Sequence, residues 1–423
     1  MESKEFKMEY DLATNFDPEL IKEVAKIDKE HQIKTVFGKL RKDVVGGGRS
    51  SMTLPQLSFR ELEDYISLCH KNNLQFNYLM NPACLGNREV NPRFHNKILK
   101  QINKLCEAGI DAITVNSPYL CELIKKQFPK LQITIGVAGG VGNCKGIQRW
   151  EELGADEITL PHMLNRDFEE LKNILEFTKN RKIFVRLIAN NVCLHECPYK
   201  YSHSSGQSHA SQKGSISSDL YIDYNLLSCN NKKIKNPEFI IASEWIRPED
   251  VRHYEELCKS VGNYKFSLKL LDRTKTTDFL VRVADAYIKE DFDGNLIDIL
   301  CWPTKKNTQV IHKMPLYLRT ISERFSIKEL LKYEEVFNLP NIYIDNKKLD
   351  GFIDKFTNSN QCFSKICGKK ENVNDEKSEL CFYCLKWADK AISYNKEEVD
   401  KWLEKSNDTI DALRTSRFFK RSI

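Results

Sequence analysis

Between about residue 17 and residue 290, short apolar runs of strand type alternate with longer stretches whose apolar positions recur every three or four residues. The runs are Thr35–Phe37, Phe76–Leu79, Ala112–Val115, Ile133–Val137, Glu157–Leu160, Ile183–Ile188, Phe239–Ile241 and Phe266–Leu270. Between them Ser58–His70, Pro92–Ala108, Pro118–Phe128, Lys145–Leu153, Asp167–Lys179, Pro248–Val261 and Thr276–Lys289 read as amphipathic helices. Two turns, Ala108-Gly109-Ile110-Asp111-Ala112 and Leu153-Gly154-Ala155-Asp156-Glu157, place a glycine where a helix ends and the next strand begins at once. This alternation predicts an α/β protein, a (β/α)8 TIM-type barrel over residues 17–302 that carries the active site. A doubly wound open sheet is the structural alternative, but no GxGxxG follows the first run. The Gly46-Gly47-Gly48-Arg49 segment reads as a flexible loop.

The pattern breaks after strand six of this reading. Residues 190–238 form a long insertion rich in Ser, His, Asn and Cys, which in a barrel belongs to the C-terminal face where active sites are built. After about residue 302 the alternation ends, and 303–423 reads as a small Cys-rich C-terminal accessory region.

Composition narrows the class. Of 423 residues 41% are hydrophobic and 29% charged, which excludes a disordered chain. No run approaches the roughly 18 apolar residues of a membrane span, and the charged start MESKEFKMEYD is no signal peptide, so a cytoplasmic protein is expected. The net charge of +6 is small and scattered. The densest basic run, Lys232 to Lys235, is expected on a solvated loop and names no nucleic-acid partner. Fourteen cysteines exceed what packing needs in a reducing compartment, so several are expected as metal or cluster ligands.

Cys193 and Cys197 lie four apart at the start of the insertion, with Cys229 further along it. Soft thiolates on short, bendable backbone suit an iron–sulfur cluster. Cys84 or Cys144, each just after a strand, would supply a fourth ligand. In the tail Cys362, Cys367, Cys381 and Cys384 form a four-thiolate set, a second iron–sulfur cluster or zinc. Cys69, Cys106 and Cys258 fall on apolar helix faces and belong to the core. His195, His203 and His209 are candidates for acid–base work, whereas His162 stands alone and is more often structural. Arg186 and Lys269 lie inside strands as catalytic candidates. Arg273, Arg247, Glu244 and Arg49 are expected to bind substrate, because strand ends point into a barrel's site.

The segments NYLMNPACLGNRE, AGIDAITVNSPYL, LGADEITLPHMLNRDFEEL, NNVCLHECPYKYSHSSGQSH, SEWIRPEDVRHYEEL and KLLDRTKTTDFLVRVADAYIKEDFDGNL resemble, in this order, the collagenase-like peptidase family, the U32 peptidases. The resemblance covers roughly residues 30–300 and implies a barrel enzyme holding a cysteine-ligated iron–sulfur cluster of the 4Fe-4S type. Some of that family are oxygen-independent hydroxylases acting on a quinone precursor or on RNA bases; others are described as proteases. Cys193, Cys197 and Cys229 match the region of the family's cluster, while Asn225 departs from it. The expected function is therefore an iron–sulfur-dependent modifying enzyme, hydroxylase-like, with an anionic substrate. The alternatives are a peptidase, for which no Ser-His-Asp order, nucleophile elbow or zincin helix is present, and a non-catalytic iron–sulfur scaffold subunit. Expected partners are a small-molecule, peptide or RNA-base substrate, with a partner protein or a homodimer beside it.

Overall fold

The structure, a computed structural model, describes residues 6–213, 221–303, 307–308, 324–359 and 382–420. Eight parallel strands close into a barrel: β1 (Glu9–Ala13), β2 (Ile33–Gly38), β3 (Gln75–Leu79), β4 (Ala112–Val115), β5 (Gln132–Ile135), β6 (Glu157–Thr159), β7 (Phe184–Ile188) and β8 (Phe266–Leu270). β1 shuts the ring against β8, with Asp11 opposite Lys269. Helices outside it begin where the sequence supplies caps. Ser58 and Glu61 cap the helix Phe59–Lys71 reciprocally, and Asn91, Ser117, Asn143, Asp167 and Thr276 each accept a first-turn backbone N–H. Gly109 and Gly154 follow their helices at φ of +90° and +102°, the left-handed turn that glycine reaches without strain.

Two expected strands differ. β1 lies ahead of residue 17, where the pattern seemed to begin, because Glu9 and Asp11 interrupt its apolar run; Asp11 is nonetheless buried. Phe239–Ile241 is no strand but part of the helix Glu238–Ala242. A three-residue apolar run suits a buried helical turn as well as a strand. The two differences cancel in the count, so the insertion follows the seventh strand rather than the sixth. The β7–β8 connection carries helices Lys200–Ser211, Tyr224–Lys235, Glu238–Ala242 and Val251–Val261.

Inside the barrel a polar belt replaces the usual aliphatic filling. Arg186 on β7 pairs with Asp11 on β1 and Glu157 on β6, each at 2.6 Å. Thr134 donates to Glu157 at 2.7 Å and Ser267 to Asp11 at 3.1 Å. Both carboxylates thus pair with Arg186 inside the barrel, which gives it a structural part beside the catalytic one expected of it.

The accessory region contributes helices Ile327–Glu335, Asp354–Ser359, Phe382–Ala391 and Lys396–Arg414, and a strand pair Ile342–Ile344 with Ile392–Tyr394. It shares one apolar core with the barrel through Ile342, Leu349, Phe352 and Trp402. Arg166 lies over the rings of Trp245 and Phe352 and donates to the carbonyls of Ile241, Ser243 and Trp245. No helix among the described residues is long and apolar enough to cross a membrane.

Candidate functional site

A cavity of about 170 Å³ opens at the C-terminal ends of the strands. Phe37, Leu79, Thr159, Ile188 and Lys269 bring the strand ends to its wall, and His203, Ser204, Gln207 and Ser208 of the helix Lys200–Ser211 close it from above. The glycine loop that looked flexible is wedged under that helix. Gly47 donates its N–H to Ser211 Oγ at 2.7 Å, and the Ser211 hydroxyl donates back to the Gly47 carbonyl at 2.9 Å. A Cβ on Gly46, at φ +83°, would meet Ser211 Oγ at 2.6 Å, so the close approach requires glycine.

The loop carries Arg49 into the cavity wall. There its guanidinium donates to Asp272 Oδ2 at 3.1 and 3.3 Å. Against the burial that would raise it, Arg49 and Lys275 hold the Asp272 carboxyl below the ordinary carboxylate range. Arg273 also lines the cavity. Burial, then repulsion from Arg49, pushes its guanidinium down to about 10, and its buried Nη1 has no acceptor. Asn81 Oδ1, Asn116 Oδ1 and Thr159 Oγ1 line the same space and are likewise buried without partners. Four unsatisfied polar atoms around one cavity are costly for an empty pocket and suited to a polar ligand. Asn81 and Asn116 stand directly beyond β3 and β4, a position the strand-end rule singles out, yet an Asn beside a Pro or Ser reads first as a turn.

The insertion thiols come together beside this cavity. Cys197 and Cys229 are within hydrogen-bonding reach, and Cys193 is their electrostatic neighbour. The Cys197 hydrogen bond first, then Lys233 and His203, draws Cys229 well below the usual thiol range, while Cys197 is pushed up. Lys233 corrects another expectation: it is buried on the helix Tyr224–Lys235, donating to the Val192 carbonyl at 3.1 Å, not on a solvated loop. Cys193 and Cys301 both lie in the field of Arg49, and Cys301, unremarked in the sequence, sits 3.3 Å from Asp272 Oδ2. Among the described residues no group of three or more His, Cys, Asp or Glu side chains is placed to hold a metal ion.

Other expected residues disperse. Cys84 stays with its own loop, its Sγ 3.3 Å from the Gly86 amide, and Cys144 opens the outer helix Cys144–Glu152, with its Sγ against the Asn173 carbonyl. Cys362, Cys367 and Cys381 fall outside the described residues; Cys384 is buried in the helix Phe382–Ala391. Cys69 and Cys258 are buried as expected and Cys106 partly so. His203 lines the cavity with Nε2 3.2 Å from Asp223 Oδ2, whereas His209 of the same helix lies against the Gly86 turn. His195 Nδ1 bonds the buried Glu244; burial disfavours the charged ring most, but this hydrogen bond together with the charges of Glu244 and Glu196 outweighs it and raises the imidazole's pKa. Glu244 thus holds His195 through Oε1, while its buried Oε2 has no hydrogen-bond partner. Arg247 is turned away from the cavity. It grips Asp250 at 2.8 and 3.1 Å and reaches Asp350 and the Asn346 carbonyl at 2.9 Å, tying the barrel to the accessory region.

A parallel eight-stranded barrel with a polar, thiol-flanked cavity under a helical roof is the class of protein these features define. Within that class the chain belongs to peptidase family U32, whose profile matches residues 44–296. It is 26% identical over 376 residues to the uncharacterized protease MJ1657 of Methanocaldococcus jannaschii, covering 86% of this chain and 94% of that one. Among solved structures it is similar to the U32 peptidase Mk0906, at 18% identity and a TM-score of 0.45 over 64% of this chain and 95% of that one. The citrate synthase SbnG matches at 12% identity and a TM-score of 0.27, over 43% of this chain and 78% of that one.

Proposed function

We propose that this U32-family chain is an iron–sulfur-dependent modifying enzyme, hydroxylase-like, that acts on a small anionic group admitted to the barrel mouth. The observation that carries the reading is the gathering of Cys193, Cys197 and Cys229 next to a cavity whose guanidinium, Arg273, lacks an acceptor. Three soft thiols on one loop and an adjoining helix, with the buried ammonium of Lys233 as counter-charge, are the donor type such a cofactor takes, although as placed they do not form a metal-holding group. A thiolate-held cluster supplies one-electron transfer and, at an open iron, Lewis acidity. Arg49 and Arg273 would hold the anion, and Asn81, Asn116 and Thr159 would orient its hydroxyl or amide groups. His203, steadied by Asp223, would move a proton, and the helix Lys200–Ser211 would keep bulk water out.

The relatives' names favour peptide hydrolysis instead. The cavity is roofed by His203, Ser204, Gln207 and Ser208 of the helix Lys200–Ser211, which suits a small molecule or one protruding group better than a peptide running through. The test is anaerobic purification with iron and sulfide counted and the visible spectrum recorded. Cys229→Ser should lose most of the absorbance that arises from the barrel. Wild-type protein without iron or sulfide would overturn the proposal. The tail set Cys362, Cys367, Cys381 and Cys384 is proposed to hold zinc or a second cluster, and Cys381→Ser should remove that metal while sparing the barrel's signal.

A further inference from the structure

Four lysines are buried among the described residues: Lys39, Lys233, Lys269 and Lys275. Three of them donate to acceptors. Lys39 reaches Asp43 at 3.1 Å and the Leu40 carbonyl at 2.6 Å, Lys233 the Val192 carbonyl, and Lys275 the Trp302 carbonyl. Lys269 has no hydrogen-bonding or ion-pairing partner among the described residues. Its Nζ lies 3.9 Å from the centroid of the Phe37 ring, and the side chain forms part of the cavity wall. The carboxylates that could have claimed it, Asp11 and Glu157, are occupied by Arg186.

We propose that Lys269 is a nucleophilic amine that forms an imine with a small carbonyl compound bearing an anionic group, the anion being held by Arg273. The position suits it: Lys269 is the penultimate residue of β8, and Arg273, with its free Nη1, follows on the same wall. The nitrogen lone pair attacks the carbonyl carbon, and a C–N bond forms while a proton passes from nitrogen to oxygen. The carbinolamine then loses its oxygen as water and leaves the C=N bond. Neither carbon nor nitrogen is oxidised or reduced overall, and water reverses the step. Burial first, then Arg186 and Arg273, pushes the ammonium down to about 7, against the opposing pull of Asp11 and Glu157. At neutral pH about half of such an amine is free, against roughly one part in 2,500 for an ordinary lysine, a preference of about a thousandfold that the lower nucleophilicity of the less basic amine reduces to several hundredfold. The inference rests on the anion cavity of the proposed function but not on iron.

The experiment is reductive trapping on the full chain near neutral pH, with cyanoborohydride and two probes, pyruvate and dihydroxyacetone phosphate, read by intact mass and peptide mapping. One reduced adduct on the peptide containing Lys269 is expected, formed several hundredfold faster than on any surface lysine. Whichever probe reacts identifies the anion as carboxylate or phosphate. Lys269→Arg should abolish the adduct while near-ultraviolet circular dichroism stays native. Arg273→Met should slow trapping of the anionic probes about tenfold more than it slows trapping of neutral acetaldehyde. Adducts spread over surface lysines, or none with either probe, would overturn the proposal. Trapping that persists in iron-free Cys229→Ser protein would separate the two readings, since the imine would then stand whether or not the cluster does.

Discussion

Replacing Arg186 with Leu removes the cation held between Asp11 and Glu157 inside the barrel, where both contacts are 2.6 Å and all three side chains are buried. At an effective dielectric near 20, unit charges about 4 Å apart interact by about 4 kcal/mol. Breaking a buried pair by deleting one partner typically costs about 3–5 kcal/mol, because a charge is left uncompensated. Here two carboxylates are stranded together. Burial already raises the Glu157 carboxyl above its ordinary pKa, Asp11 pushes the same way, and Arg186 is the largest opposing influence. Without Arg186 the folded-state value of Glu157 rises further above its unfolded value of about 4. A group whose folded pKa is raised lends stability below its unfolded pKa and loses it as pH climbs through the folded one. Arg186→Leu should therefore lose about 3–5 kcal/mol at and above neutral pH, and the deficit should shrink as pH falls toward about 4. Urea unfolding followed by tryptophan fluorescence at about pH 5 and about pH 8 measures both parts. A deficit below about 1 kcal/mol, or one equal at the two pH values, would refute the structural assignment of Arg186.

Arg273 should behave in the opposite sense. A buried guanidinium without a partner burdens the fold, so Arg273→Met should raise the urea midpoint, by about 1–3 kcal/mol, while anion binding followed by calorimetry is lost; a fall in stability would contradict the geometry. Arg247→Ala should cost about 3 kcal/mol and expose the accessory region to limited proteolysis, since the variant loses Asp250, Asp350 and the Asn346 carbonyl together; an unchanged digestion pattern would count against that tie. Glu244→Gln should move the His195 titration downward by NMR, because the raised imidazole depends on that carboxylate. In the wild type the pair's stability is full below about pH 6.5 and fades as pH rises through the raised value, a slope the Gln variant should lack.

Much of the barrel was legible in the sequence because its signals are local. Helix caps such as Ser58 and Asn143 and the left-handed glycines Gly109 and Gly154 act within one turn of chain, so their consequences need no knowledge of what lies across the fold. Spacing also carried Cys193 and Cys197 to one loop. Tertiary structure decided what the charges do. Arg186, Lys269, Arg247 and Arg273 are all basic residues and all buried, yet two are claimed by carboxylates and two are left facing the cavity. That division depends on partners from distant segments, Asp11 and Glu157 for Arg186 and Asp350 for Arg247. It depends also on the buried turn of Glu238–Ala242, whose three apolar residues fit a strand equally well until packing chooses. A linear pattern records which residues prefer burial; only the closed barrel fixes which of the buried charges are neutralised and which remain available to a ligand.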